Sequence, residues 1–424
     1  MRALAHPLQN TAGALLVALA FAIPVSNALT SVAAAAFVAV MVLGQVAGSW
    51  RGRWALVLRH PVSLTSLALF GSVLLASAWT SAAPQAAASQ AMRNASLLLL
   101  PLFAVALWDS VWVRRCLQAF SVAMVLTLVL SFAHALWGLA GAGSWPLPYK
   151  GGGDAIFHVH ITHNVLMSVA VLLWLGQALA DHGLRPARRG ALGLLAALAV
   201  FNILWMVPGR TGYATLLAGL LVLALACCPR RWRAHGLLGL VALTAAALWM
   251  SDSVQGRLDR TWREIQAFEG AGSAQRGDVN LADHRLAIWR EALKVVQQSP
   301  LIGHGTGSYR TVFCASAQPP DMCSYGGGKH PHNQFLFAAI EGGMLGVACY
   351  AAWLLALGLA LWRQRGQGPL GAIGPGLWVV WVVYGMVDTP LQLLTERHFF
   401  PLFLVLLLFP PLALRHPPPL PEPR

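Results

Sequence analysis

Apolar stretches close to 20 residues long follow one another through most of this chain, separated by short polar connections. A helix rises about 1.5 Å per residue, so about 20 residues cover the hydrocarbon core of a bilayer. Within lipid every backbone polar group must be satisfied internally, and an open chain does this as helices. Only 10% of the 424 residues are charged, against about 25% in a soluble domain. The pattern therefore predicts an all-α, polytopic membrane protein.

Reading apolar runs between polar breaks gives twelve spans, over 11–28, 30–48, 61–80, 94–108, 116–140, 161–180, 190–207, 211–228, 236–250, 333–361, 371–388 and 398–414. The organisation is then 1–250 with spans one to nine, a long polar loop at 251–332, spans ten to twelve at 333–414, and a proline-rich tail at 415–424 that reads as disordered. Met1-Arg2 leads into apolar sequence without a convincing cleavage site, so the first helix is expected to be retained.

Lys and Arg set the orientation. Sixteen lie in one set of termini and short connections, including Arg51, Arg114, Arg188 and Arg363. The short connections on the other side hold four: Arg93, Lys150, Arg210 and Arg397. This bias predicts cytoplasmic termini and places 251–332 outside, where its nine cations meet eight acids. The net charge of +14 is thereby explained by topology, and no nucleic-acid partner is expected.

The outer loop carries two helical patterns. Val254, Leu258, Trp262, Ile265 and Phe268 form one apolar face over 254–268. A second helix is expected over 281–298, with Asn280 as N-cap and Leu286, Trp289, Leu293 and Val296 as its apolar stripe. Ser299-Pro300 ends it, because a residue before proline is pushed from the helical region. Gly303, Gly305 and Gly307 then mark a tight turn. Cys314 and Cys323 lie close in sequence in this loop and suit a disulfide in an oxidising compartment, or stand as two free thiols.

Several polar residues gather at the outer ends of the spans. His332-Asn333 stands where the loop enters span ten; a neutral imidazole there can take a proton from a hydroxyl, and a polar pair there also suits helix capping. His330 stands two residues before it. His158, His160 and His163 offer a further cluster, but their spacing follows no zinc pattern, and no metal or other cofactor is expected. Arg210, in "PGRTGY", lies at the interface beside Gly209 and Gly212, which leave room for an anion near the backbone. Arg285, alone on a loop helix, reads equally as a solvated charge. Glu341 inside span ten and Asp388 at the end of span eleven are buried-carboxylate candidates, or structural partners for an arginine.

The pieces "GRTGY", "HRLAIWREAL", "PLIGHGTGSY" and "HPHNQFLFAAIEGGMLG", in this order over roughly 205–350, resemble the O-antigen ligase and polymerase superfamily. The resemblance implies a glycosyltransferase of the bacterial inner membrane with a periplasmic site. It would move a glycan from undecaprenyl diphosphate to a lipid A core acceptor, among membrane lipids. It implies that Arg210 and Arg285 hold the diphosphate and that His332 is the catalytic base, with His330, Asn333, Glu341 and Asp388 in support. Gly209 departs from the serine many members carry there. Polymerase, protein O-oligosaccharyltransferase and a membrane transporter are the competing readings; for a transporter no internal repeat is evident, and the polar residues gather at one face.

Overall fold

The computed structural model describes residues 2–50, 52–108, 110–147, 149, 152–227, 231, 285–317, 320–324 and 327–408. Its helices are α1 (Arg2–Val25), α2 (Asn27–Val46), α3 (Arg53–Leu58), α4 (Pro61–Ala76), α5 (Pro84–Asn94), α6 (Leu99–Ala106), α7 (Ser110–Leu139), α8 (His160–Ala180), α9 (Pro186–Phe201), α10 (Arg210–Cys227), α11 (Arg285–Gln298), α12 (Tyr309–Ser316), α13 (Gln334–Gln364), α14 (Gly368–Val387) and α15 (Leu394–Leu408). No strand occurs among the described residues; Tyr149 and Ile156 form one isolated antiparallel bridge. The chain is an all-α, polytopic membrane protein, with nine helices among these residues long and apolar enough to cross a bilayer.

The other three expected spans fare differently. Span nine, 236–250, lies outside the described residues, as does the 254–268 helix, the start of the 281–298 helix and the 415–424 tail. Span twelve is α15 as far as Leu408, beyond which the chain is not described. Span four, 94–108, is a correction: it breaks into the end of α5, a 3-10 turn at Ala95–Leu98 and α6. Pro101 has no N–H to offer the carbonyl one turn back, and Leu97 O accepts from Ser66 Oγ instead (2.9 Å).

Successive spans pack on one another, α1 on α2, α8 on α9 and α13 on α14. The most enclosed is α8, 78% of whose apolar window is buried; it packs on α9, α10 and α14. The α9 helix widens into a π-turn at Asn202–Met206 before reversing into α10. The α13 helix packs on α4, α11 and α14, and it is kinked at Gly343 (φ 58°, ψ −152°). The kink receives the glycine turn: His304 N–H and Gly305 N–H donate to the carbonyls of Ile340 (2.8 Å) and Glu341 (2.9 Å), and Met344 N–H donates to Pro300 O (2.9 Å). Positive φ at Gly303, Gly305 and Gly307 lets the turn press on backbone that any Cβ would strike.

The face that α11 buries also differs from the expected stripe. Ala287, Ile288, Glu291, Ala292 and Val295 are buried, while Leu286 and Leu293 are exposed. The two alanines let α11 approach α12 and α13 closely, where Tyr309, Phe313, Phe337 and Ile340 complete a small core. Glu291 enters that face paired with Lys294 (2.7 Å). Beside this core Cys314 and Cys323 are joined as a disulfide, Cα–Cα 5.2 Å.

Candidate functional site

One end of the bundle collects Arg210, Arg285, His330, His332 and Asp388. The start of α13 and the end of α14 build its centre. Asn333 caps α13, its Oδ1 accepting from Phe335 N–H (2.9 Å) and Leu336 N–H (3.1 Å). Its Nδ2 donates to Met386 O in the last turn of α14 (3.0 Å). This one side chain therefore ties the residue after His332 to the turn before Asp388. Asp388 closes α14 in an extended conformation and accepts from Thr389 N–H (2.8 Å).

Within that frame Asp388 Oδ1 lies 3.4 Å from His332 Nδ1 and 3.7 Å from His330 Nδ1. Neither imidazole nitrogen has a well-aligned hydrogen-bond partner. The two rings meet edge to face, centroids 4.4 Å apart. His332 has φ +49°, a left-handed conformation costly for a residue with a Cβ. Strain of this kind persists only where the surroundings impose it; here Pro331 on one side and the Asn333 cap on the other fix the chain.

The surroundings act on His330 and Asp388 in different directions. Burial is the main cause that lowers the His330 pKa to about 4; Asp388 opposes it, while His332, Lys329 and Arg285 add to it. His330 is therefore neutral near pH 7. Burial raises the Asp388 pKa, but His332, His330 and Arg285 together outweigh that and leave it below the usual carboxylate value. The 5% exposed Asp388 carboxylate thus lies beside the 25% exposed imidazole of His332. The same three side chains place ligand atoms within 4.8 Å of one another, a donor set of two imidazoles and one carboxylate that also suits a transition metal.

The arginines arrive from two other elements. Arg285 opens α11, and its Nη1 donates to Thr211 Oγ1 (3.4 Å) in the first turn of α10. Arg210 is the residue before Thr211, exposed at the start of α10. Trp289, one turn along α11 from Arg285, donates Nε1–H to Pro331 O (2.9 Å), between the two histidines. Thr211, Trp289 and Pro331 O thus link the arginine pair to the histidine pair. None of these contacts was readable from spacing; a tryptophan four residues after Arg285 was the only trace.

Glu341 is not part of this centre. It is buried two turns further along α13, and its Oε1 accepts from Gly307 N–H (3.0 Å), holding the glycine turn in the kink. The room expected beside Gly209 and Gly212 is filled by the Asn164 side chain, whose Nδ2 donates to Val207 O (2.8 Å). His158 and His163 face elsewhere: their Nε2 atoms lie 2.9 Å from Ile23 O and 2.9 Å from Asn202 Oδ1. No assembly of these with His330 and His332 forms.

A helical membrane bundle with two arginines beside a histidine–carboxylate pair is equipped for anionic, lipid-borne substrates and a proton transfer. Residues 194–351 match the O-antigen ligase family. The match contains Arg210, Arg285, His330, His332, Asn333 and Glu341 and stops short of Asp388. It points to a glycosyl-transferring enzyme of the O-antigen ligase and polymerase group. No curated protein matches the chain.

Proposed function

We propose that the protein is an O-antigen ligase that moves a glycan from undecaprenyl diphosphate to a hydroxyl of the lipid A core oligosaccharide at the periplasmic face of the inner membrane. The observation that carries this reading is the buried Asp388 carboxylate beside His332, with Arg285 close enough to act on Asp388 and His330. Asp388 faces Nδ1 of His332, so Nδ1 carries the resting proton and Nε2 is left to accept another. The acceptor hydroxyl oxygen attacks the anomeric carbon as its proton passes to His332. The anomeric C–O bond breaks, and its electron pair leaves on the diphosphate oxygen. Asp388 stabilises the imidazolium so formed; His330, neutral, shapes the wall beside it.

Arg210 and Arg285 neutralise the departing diphosphate. Guanidinium groups stay charged and bind phosphate oxygens in pairs. One base without a carboxylate nucleophile implies direct displacement with inversion. Arg285 also bears on the metal reading: its positive charge faces the His330–His332–Asp388 group and disfavours a dication there.

The test is transfer with purified protein in lipid nanodiscs. Lipid-linked glycan plus lipid A core acceptor should give one joined product. Growth of glycan on glycan when two lipid-linked glycans are supplied, with no joining to the core, would reassign the protein as a polymerase.

A further inference from the structure

Two arginines at the His332 end of the bundle have no place in this scheme. Arg93 lies in the last turn of α5 and is exposed; Arg397 lies in the first turn of α15 and is half-buried. Among the described residues neither guanidinium has an ion-pair or hydrogen-bond partner. The 3-10 turn that follows Arg93 packs on α15, and α5 packs on the turn just before α15, near enough for the Arg93 charge to bear on Arg397. Among the described residues the Glu341 carboxyl, already engaged with Gly307 N–H, feels the Arg93 charge, and His398 lies beside Arg397.

Holding two guanidinium groups together without an anion is unfavourable, and desolvating one of them adds to the cost. The turn between them and the catalytic centre carries a further unmet demand. Pro390–Gln392 follows Asp388, packs against α5, and holds the Gln392 amide with both its oxygen and its nitrogen buried and unpartnered. Paired guanidinium forks match the oxygens of a phosphate group.

Location selects which phosphate. Arg210 and Arg285 approach the start of α13 from α10 and α11. Arg93 and Arg397 approach it from α5 and α15, by way of Leu391, whose N–H donates to Gln334 Oε1 (3.2 Å) in the first turn of α13. His332 lies between the two pairs in the chain of contacts. A transfer reaction needs two substrates meeting at the base, each from its own side.

We propose that Arg93 and Arg397 form a phosphate-binding subsite for the acceptor, a membrane-embedded glycolipid that carries phosphate on its sugar headgroup. This rests on the transferase reading above and adds a feature to it: the enzyme selects its acceptor partly by charge, at a place separate from the donor diphosphate.

The experiment uses the full chain in nanodiscs of zwitterionic lipid, with a phosphorylated glycolipid acceptor and the same glycolipid after phosphatase treatment. Binding is measured directly, and the acceptor and donor KM are measured in transfer. Arg397→Gln and Arg93→Gln should each weaken binding of the phosphorylated glycolipid about tenfold, the scale of one lost charge-assisted contact. Acceptor KM should rise in step, while donor KM stays unchanged. The dephosphorylated glycolipid should bind the wild type weakly and be indifferent to both substitutions. Arg397→Lys, with unchanged melting temperature, should retain part of the affinity and so exclude misfolding as the cause. Equal losses for both glycolipids, or a rise confined to donor KM, would overturn the subsite. So would inorganic phosphate or phosphatidylglycerol binding as tightly as the phosphorylated glycolipid. Phosphate-dependent binding without any transfer would leave the subsite standing and remove the transferase reading.

Discussion

Two histidine-rich stretches lie at the same end of this bundle, and they are built in opposite ways. In "HVHITHN" the rings are absorbed into the scaffold: His158 bonds Ile23 O, and His163 bonds Asn202, which in turn donates to Ser131 Oγ (2.7 Å). In "KHPHN" the two rings converge on a buried carboxylate with both Nδ1 atoms lacking a well-aligned hydrogen-bond partner, on backbone held in a left-handed turn. A buried ring bonded to a neutral amide or carbonyl contributes to the fold. A ring beside a buried carboxylate is available for chemistry. The histidine count in the sequence is similar for both; the partners are what differ.

The sharpest way to break this comparison is to truncate one histidine from each stretch. His332→Ala should lower turnover at least about 10²-fold, the lower range for removing a general base, while donor binding stays near the wild-type value. Retained turnover would move His332 to the scaffold class. Arg285→Lys comes next: it keeps a charge but loses the fork that meets Thr211 and that the proposed mechanism uses to hold phosphate. A loss of about ten- to a hundredfold in kcat/KM is expected, from about 1.5–3 kcal/mol per charge-assisted contact. Wild-type kinetics for this variant would mean that Arg285 serves only α10–α11 packing.

From the other stretch, His163→Ala should act on stability alone. It strands the buried Asn202 Oδ1, for about 1–3 kcal/mol, seen as a lower melting temperature with turnover per folded molecule unchanged. A catalytic defect without a stability defect would erase the distinction between the stretches.

A pH experiment sharpens it further. The folded His330 pKa is about 4, against 6.5 for an unrestrained imidazole. Between those values the unfolded chain binds a proton that the folded chain does not. Stability is therefore fully held above about pH 6.5 and lost as pH falls toward 4, at no more than about 1.4 kcal/mol per unit. Melting curves from pH 7 to 5 should drop more steeply for the wild type than for His330→Asn; parallel curves would show that His330 ionises freely in the folded protein. The smallest effect is expected from chelation. EDTA should leave transfer unchanged, whereas a loss restored only by added metal would make His330, His332 and Asp388 a metal centre.

Most of the scaffold was legible because lipid imposes one rule on every span: about 20 apolar residues between polar breaks. Nine helices among the described residues follow that rule, with bounds within about six residues of those read from the sequence. It failed at 94–108, where a proline released a carbonyl to a serine on another helix, and at α11, where small residues rather than leucines met the neighbouring core. Both outcomes were set by the partner surface, and periodicity does not report a partner.

The sequence by itself determined that this is a membrane-embedded helical protein. It also fixed which residue types stand at the ends of its spans, since hydropathy and charge act residue by residue. The tertiary structure alone decided which of them work together. Asp388 lies 56 positions from His332, yet the Asn333 cap on the α14 carbonyl at Met386 brings them to 3.4 Å. Arg285 and Thr211 are 74 positions apart and meet because α11 packs on α13 and lies across the start of α10. Contacts of this kind depend on distance in space and on what else is buried nearby, and a charge on a span end becomes a site only when the packing leaves it facing another.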